Sequence, residues 1–573
     1  MAGVANAVVG DLWAWVLYVD RVTRTRIVPL GGLGEVGMNC LAIETDDGIV
    51  VVDCGVTFPH DNYGVDLVHP DFSYLWERRD EVRAILVTHG HEDHIGAIPF
   101  LLRMIPVPVF APAYARMLIE HRLSEHEDVV DVDLRTIVPR RAFSLGSIRV
   151  EPLSVTHSIP DANAFCIETP GARIFHTGDF KLEDDQPDGV RADEERFAEL
   201  GEDGVDILLS DSTNVDVPVR TTSERSVGNA LRDLVSKLEG RVVVGLFASN
   251  VFRLQGIIDA AVACRRQVCL LGRSVQTHVR AAQSLGKLRF PSDVLVTPEE
   301  AMRLDPDSVL AIATGTQAEP MSALARLARN DHPFFKLERG DSVVFSSRTI
   351  PGSERAVFSL ICDLERAGVD VHFRLTDSDV HVSGHASRQE QSKIIELLKP
   401  RSFVPLHGTY HHLKRHADLA RSMGIENTVL LENGDVGRWQ HGKLAMDGGV
   451  PHGRVFVDDG LVIAPSILEE RKAMGDSGTV MAQLTLDKFG MLATPFAVST
   501  RGVLLDEPAH VVEALARDAV AEQLRQAKGP REQLTPEESR DAAARALRRV
   551  YRLGSRRPMV VVQVKAPGGP IIG

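Results

Sequence analysis

The sequence predicts a soluble α/β protein of several domains, and three observations carry that prediction. Short apolar, β-branched runs repeatedly end in polar residues, most sharply where "AILV" (84–87) opens into "THGHEDH". Between about 215 and 370 strand-like and helix-like segments alternate, as in a parallel sheet with crossover helices. At 573 residues the chain is also too long for one hydrophobic core, so two to four domains are expected. Composition is ordinary for a globular protein, at 44% hydrophobic and 25% charged. A formal charge of -15 excludes a broadly basic surface, so a polyanionic substrate would be met by local basic patches and metal ions. Six cysteines, Cys40, Cys54, Cys166, Cys264, Cys269 and Cys362, form no CxxC pair. They fit reduced, mostly buried thiols in a cytoplasm, not a disulfide framework or a zinc ribbon.

In chain order, residues 1–25 form an N-terminal extension. Its apolar stretch "LWAWVLYV" (12–19) is too short to span a bilayer, and no Lys or Arg precedes it as in a signal peptide. It is expected to be an amphipathic packing segment or a start-site extension, with no membrane association. From "RIVPLGGLGEVGMNCLAIET" (26–45) to "GIVVVDCG" (48–55), β-rich runs and glycine turns predict a hairpin meander. Because "NCLAIET" is strand-like and no helical pattern follows the glycines, a dinucleotide-binding loop is rejected. "AILV" reads as a buried strand and "IGAIPFLLRMI" (95–105) as a helix. Strand-like runs end in polar residues again at "VEPLSVTHSIPDAN" (150–163), "RIFHTGDFK" (173–181) and "DILLSDSTN" (206–214). After the alternating region the same pattern is expected at "DVHVSGHASRQEQ" (379–391) and "SFVPLHGTYHHL" (402–413). "GKLAMDGGVPHGRVFVDDGLV" reads as a turn-rich linker with small strands. Two amphipathic helices, "PAHVVEALARDAVAEQLRQAKG" and "TPEESRDAAARALRRVYRLGS", and the strand "RPMVVVQVKA" (557–566) then close a small α/β unit.

The chemistry concentrates in "VTHGHEDHIGA" (87–97). A charged cluster can be a solvated loop, but this one lies at a strand–helix junction, where α/β folds place their sites. His89 and His91 leave a strand end one residue apart and can face one cavity, while Asp93 and His94 past the turn can serve an adjacent ion. Imidazole and carboxylate ligands suit Zn2+, with Mn2+ where oxygen dominates. His157, Asp179 and His407 occupy equivalent strand ends. Taken singly, a histidine after a strand is an ordinary turn residue; jointly they complete two shells. His89, His91 and His157 would surround one ion, Asp93, His94 and His407 the other, with Asp179 bridging. Two ions about 3.5–4 Å apart can share one activated water and stabilise phosphoryl charge. Asp53, at another strand end, is expected to orient a ligand from behind.

"GGLGEVGMN", "DCGVTFP", "THGHEDHIGA", "THSIPDA", "HTGDFK", "SDSTN", "FASNVFRLQ", "GRSV", "TGTQAEPMSAL", "SRTIPGSE", "HVSGHAS" and "PLHGTYHHL" run in one order over about 26–415, with "STRGV" and "RRPMVVVQV" beyond. In this the chain resembles the metallo-β-lactamase-fold nucleases of the β-CASP group, specifically the ribonuclease J family. The resemblance implies a metallo-β-lactamase αββα sandwich (26–214 and 371–450) split by an inserted β-CASP α/β domain (215–370). A linker (451–465) and a small C-terminal α/β domain (466–573) would follow. It implies two Zn2+ per chain, with Mn2+ or Mg2+ as alternatives. His385 would contact the scissile phosphate with Asp211 supporting it, both acting with Asp93 and Asp179 in catalysis, and His407 would bind metal. His381, Ser383, Gly384, His385, Ala386 and Ser387, with Ser347 and Arg348 of "FSSRTIPG", would bind the phosphate of a 5′-terminal nucleotide. Ser387 can equally be the N-cap of the helix predicted at "RQEQSKIIELLK".

The implied activity is 5′→3′ exonuclease action on 5′-monophosphorylated single-stranded RNA, with endonuclease cleavage besides, in RNA maturation and decay. The implied partners are further copies of the chain, as a homodimer or homotetramer through the C-terminal domain, and RNA-degradation proteins. Rival readings are a DNA-directed nuclease, a small-molecule hydrolase and a non-catalytic RNA-binding subunit. Two positions depart from the family pattern. Thr409 stands in the acidic position of "HGE", and Ala318 replaces a glycine in "TGTQAEP", which matters only if that position needs positive φ. Arg545, Arg548, Arg549, Arg552, Arg556 and Arg557 are read as a solvated helix face or oligomer contact ahead of an RNA grip. With aromatics at 5%, sequence-independent backbone contact is expected over a base-stacking platform.

Overall fold

A computed structural model describes residues 24–59, 63–350, 352–530, 533–567 and 571–572; the segment "LWAWVLYV" lies outside them. The chain divides into two units. One runs to Val455 apart from a short segment; the other is Phe456–Gly573 with that segment, Asp61–Leu67. No helix among the described residues is long and apolar enough to cross a membrane.

The first unit is built on two facing sheets. The expected meander is present: Thr25–Gly31 pairs antiparallel with Cys40–Thr45, and that strand with Gly48–Val52. The direction then changes, because Gly48–Val52, Val82–Leu86 and Val109–Ala111 are parallel. In the second sheet Ile148–Ser154, Asn163–Glu168 and Arg173–His176 are antiparallel neighbours, whereas Arg173–His176, Ile207–Asp211 and Ser402–Leu406 are parallel. Alternation of side chains explains the layering. Ile174, Ile207, Leu209 and Val404 point into a core shared with Ile27, Ile43, Val50, Val52 and Leu86 of the first sheet. Their neighbours Phe175, Leu208 and Phe403 point the other way, against Phe197, Leu200, Ile394, Ile395 and Leu398 of two covering helices. These side chains are almost fully buried, each worth roughly 1.5–3 kcal/mol of transfer free energy. This is the αββα sandwich expected. The parallel registers matter most for the site. Val52 opposite Leu86, and Asp211 opposite Leu406, make the chain leave each sheet at neighbouring C-terminal ends.

The inserted layer is a six-stranded sheet, parallel at every pairing. Its sixth strand, Asp370–His372, pairs with Ser342–Phe345 and runs past residue 370. Ala318 in this layer has φ 62, so the position does need the left-handed conformation that glycine adopts freely. Ala318→Gly is therefore expected to stabilise the protein by about 0.5–1 kcal/mol, read as a raised denaturant midpoint with unchanged m.

No strand forms over 379–391. The chain there is a 3-10 turn, Ser378–Val380, followed by a loop and then the helix Arg388–Leu398. The carbonyls of Val380 and Val382 accept from the Arg253 guanidinium instead of from a ladder, which periodicity cannot reveal.

In the second unit, Val498–Arg501, Thr479–Thr485, Met559–Lys565 and Ile571–Ile572 form a sheet in that order. Both expected helices are present, Ala509–Lys528 and Pro536–Val550, and share a core with Val480, Leu484, Val562 and Val564. The stretch expected as a linker holds an antiparallel strand pair (Phe456 opposite Ile463), and a further helix, Pro465–Ser477, starts at its end. Arg545, Arg548, Arg549, Arg552, Arg556 and Arg557 are all exposed.

Candidate metal centre

The C-terminal ends of the parallel strands deliver the predicted residues to one place. Val82–Leu86 leads to His89, and the short helix Glu92–Ile95 carries Asp93 and His94. Arg173–His176 leads to Asp179, Ile207–Asp211 ends on Asp211, and Ser402–Leu406 leads to His407. His89, His91, His157 and Asp179 form one converging donor group; Asp93, His94, Asp179 and His407 form a second; Asp179, Asp211, His385 and His407 form a third.

Asp179 is common to all three. Its Oδ2 lies 3.2 Å from His94 Nε2, 3.6 Å from His407 Nε2 and 3.8 Å from His89 Nε2. His157 Nε2 is 4.0 Å away and His385 Nδ1 3.9 Å. His91 Nδ1 sits 2.9 Å from His89 Nε2 and 3.2 Å from His157 Nε2. His407 Nε2 is 3.3 Å from Asp93 Oδ2.

What stands behind these rings fixes where their protons are. Asp53 Oδ1 accepts from the Thr88 N–H, and Oδ2 accepts from the Thr88 hydroxyl and from His94 Nδ1, each at 2.8 Å. The Thr88 oxygen, its own proton committed to Asp53, is left to accept from His89 Nδ1 at 3.0 Å. His157 Nδ1 donates to the Gly384 carbonyl at 2.7 Å. The Thr213 hydroxyl donates to Asp211 Oδ1 and accepts from His407 Nδ1, both at 2.7 Å. His89, His94, His157 and His407 therefore all hold their Nδ1 protons away from the cluster and turn their Nε2 edges toward one another around Asp179. Imidazole Nε2 atoms and carboxylate oxygens gathered in this way are the donor set a divalent ion takes once the nitrogens are free of protons.

Electrostatics divide the rings into two kinds. Burial, then the neighbouring imidazoles, holds His89 and His157 far below the usual histidine range, and burial brings His91 down to about 4. Burial would also lower His407 and His94, but the surrounding carboxylates, Asp179 foremost, outweigh it: His94 is held well above its usual range and His407 at about 9. Metal entering the cluster must displace those protons. Loading at pH 7 is expected to release protons, and affinity to rise with pH as His407, at about 9, and His94 give theirs up. Calorimetric titration with Zn2+ in two buffers of different ionisation enthalpy reads the release; buffer-independent heats would contradict it.

Two backbone features hold the cluster tight. Asp53 and His407 have φ 61 and 50, left-handed conformations that cost non-glycine residues and gather at functional sites. Gly55 lets the chain close on Asp93, since a Cβ there would lie 1.6 Å from the Asp93 carbonyl oxygen.

Residues 33–245 match the metallo-β-lactamase superfamily, and 239–364 match the β-CASP domain of ribonuclease J. Residues 369–430 match the Zn-dependent metallo-hydrolase RNA specificity domain, and 466–565 the ribonuclease J C-terminal domain. Ribonuclease J 1 of Streptococcus pyogenes is 39% identical over 473 residues, covering 82% of this chain and 84% of that protein. The chain belongs to the ribonuclease J family. Ribonuclease J of Mycolicibacterium smegmatis is 39% identical over 523 residues, 88% of this chain and 93% of that one. That of Mycobacterium tuberculosis is 42% identical over 438 residues, 76% and 78%. A crystal structure of an Enterococcus faecalis protein of unknown function shares the fold, with a TM-score of 0.53 and 16% identity over 72% of this chain and 99% of that one.

The other residues the ribonuclease J resemblance singled out divide into two sets. His385 Nδ1 donates to Asp211 Oδ2 at 2.9 Å, at the edge of the cluster. Gly384 packs on His157, where a Cβ would come within 2.8 Å of the ring. Arg348 donates to Asn214 Oδ1 at 3.2 Å, and Asn214 in turn donates to the His385 carbonyl at 3.0 Å. His381 faces Arg253, and the Ser383 hydroxyl accepts from the His385 N–H. Burial and then Arg253 push His381 down to about 3, so it is neutral at pH 7. Ser387 belongs to the second set. It is fully buried, and its hydroxyl and N–H both donate to Glu390 Oε2, at 2.7 and 2.9 Å. Its hydroxyl is thus committed to the helix start, and the N-cap reading accounts for it. Ala386 is fully buried against Ile394 and Phe403. The Thr409 hydroxyl reaches His412 Nδ1 at 3.3 Å, ahead of the helix Tyr410–Ser422.

Sequence reasoning did not single out Thr88, Thr213, Asn214 or Asn39, whose Nδ2 lies 3.1 Å from His94 Nε2. All four sit inside motifs it quoted, but hydroxyls and amides there look like turn residues until the histidines face them.

Proposed function

We propose that this protein is a divalent-metal-dependent ribonuclease that shortens 5′-monophosphorylated single-stranded RNA in the 5′→3′ direction and also cleaves internally. The observation that carries it is the convergence of imidazole nitrogens and carboxylates on Asp179, inside a chain of ribonuclease J type with an RNA specificity domain. His89, His91, His157 and Asp179 would hold one Zn2+, and Asp93, His94, His407 and Asp179 a second, with Mn2+ or Mg2+ able to substitute. Divalent ions there supply Lewis acidity toward a phosphoryl oxygen and activate the attacking water.

The protein's own groups do the rest. Asp53, Thr88, Thr213 and the Gly384 carbonyl accept the Nδ1 protons and keep each Nε2 aimed at the cluster. His385, its Nδ1 proton anchored on Asp211, presents its other edge to charge developing on the phosphate or leaving oxygen. His381, Ser383, Gly384, Ser347 and Arg348 would receive the 5′-terminal phosphate, so each cut is measured from that end. The C-terminal unit is read as the site of self-association: it matches the family's C-terminal domain and exposes Leu461, Val462, Leu504 and Leu515. Six cysteines without a disulfide fit a cytoplasmic location.

The test uses 3′-labelled single-stranded RNA carrying either a 5′-monophosphate or a 5′-triphosphate. Stepwise shortening of the monophosphate form is the expected result. Internal fragments alone, equal from both, would remove the exonuclease reading. No cleavage with metal bound would favour a DNA substrate or a non-catalytic subunit.

A further inference from the structure

Arg253 heads the fully buried large side chains, and the cleavage described above makes no use of it. It stands on the helix Val251–Ala263 and pairs with Glu224 through Nε at 2.8 Å and Nη2 at 3.0 Å, both side chains 0% exposed. Burying two charges costs desolvation that their attraction alone does not return, so the remaining N–H groups are informative. Nη1 donates to the Ser346 carbonyl at 3.1 Å, to its hydroxyl at 2.8 Å and to the Val380 carbonyl at 3.3 Å, and faces His381 Nδ1 at 3.4 Å. Nη2 reaches the Val382 carbonyl at 3.4 Å. The Ser346 hydroxyl itself donates to the Val380 carbonyl at 2.6 Å.

One planar fork thus stitches two loops far apart in sequence. Ser346 directly precedes Ser347 and Arg348; Val382 directly precedes Ser383 and Gly384, whose carbonyl aims the His157 ring. The other end is tied down as firmly. Glu224 Oε1 accepts from Asn250 Nδ2 at 3.1 Å, and its N–H donates to Glu183 Oε1 at 2.8 Å. Glu183 pairs with buried Lys181, two residues beyond Asp179.

We propose that Arg253, clamped by Glu224, is a positioning residue: it sets the spacing of the two loops that receive the 5′-terminal phosphate and the distance from that phosphate to the metal centre. The inference rests on the 5′-phosphate reading given above. A lysine cannot replace the fork, because one ammonium cannot grip a carboxylate bidentately and also reach acceptors on two loops.

The experiment compares the full-length, metal-loaded protein with Arg253→Lys and with the milder Ser346→Ala, which removes only the shared hydroxyl. kcat and KM are measured on RNA with a 5′-monophosphate or a 5′-hydroxyl, and turnover on bis(p-nitrophenyl) phosphate. Affinity for each RNA is measured separately by fluorescence anisotropy in chelator. Arg253→Lys is expected to raise KM for the monophosphate RNA about tenfold or more and weaken its binding in step. Values for the 5′-hydroxyl RNA and the small diester should change far less, and Ser346→Ala should move in the same direction by less. A monophosphate preference that survives in both variants overturns this inference alone, as does a parallel loss of small-diester turnover. A wild-type protein without any monophosphate preference overturns the pocket reading and this inference with it.

Discussion

Asp179→Asn is expected to give a folded protein that holds less than its full complement of metal and cleaves RNA at least about 10³-fold more slowly. The substitution preserves shape but removes the one negative charge on which all three donor groups converge. His94, 3.2 Å away, and His407, 3.6 Å away, would then face a neutral amide, and the two proposed ion positions would lose their shared ligand. Metal content by mass spectrometry of the dialysed protein, with cleavage of 5′-monophosphorylated RNA, reads both effects. Full metal content with a wild-type rate would remove Asp179 from its assigned place.

His385→Ala is expected to separate the two functions that Asp179→Asn removes together. His385 is tied to Asp211, and Asp211 also accepts from Thr213, which holds His407. Truncating His385 leaves that second arm intact, so metal content should not change. kcat should fall by roughly 10²–10⁴, the usual contribution of a positioned acid or base. KM for 5′-monophosphorylated RNA should change far less. A loss of metal equal to that in Asp179→Asn would make His385 a ligand instead. An unchanged kcat would leave it without a chemical role.

The sequence by itself determined the layered α/β plan and most of the donor set. Strand ends can be read from β-branched runs that stop at polar residues, so His89, His91, Asp93, His94, His157, Asp179 and His407 were legible as a group. The Ala318 departure was legible too, although only the backbone, at φ 62, says that it strains the turn. The tertiary structure decided the partners. Which carboxylate faces which ring depends on parallel register between strands more than a hundred residues apart, as with Ile207–Asp211 beside Ser402–Leu406. Local patterning holds no information about such pairings. The same limit hid Thr88 and Thr213, whose single hydroxyls hold Nδ1 of His89 and of His407. It also produced the strand pattern expected at 379–391, where an arginine from a distant helix satisfies the carbonyls that a neighbouring strand would have taken. Ser387 makes the point at one residue: only the fold shows that its buried hydroxyl is tied to Glu390 at the helix start. Hydrophobic periodicity is local and survives in sequence, whereas buried polar groups are defined by what meets them in space.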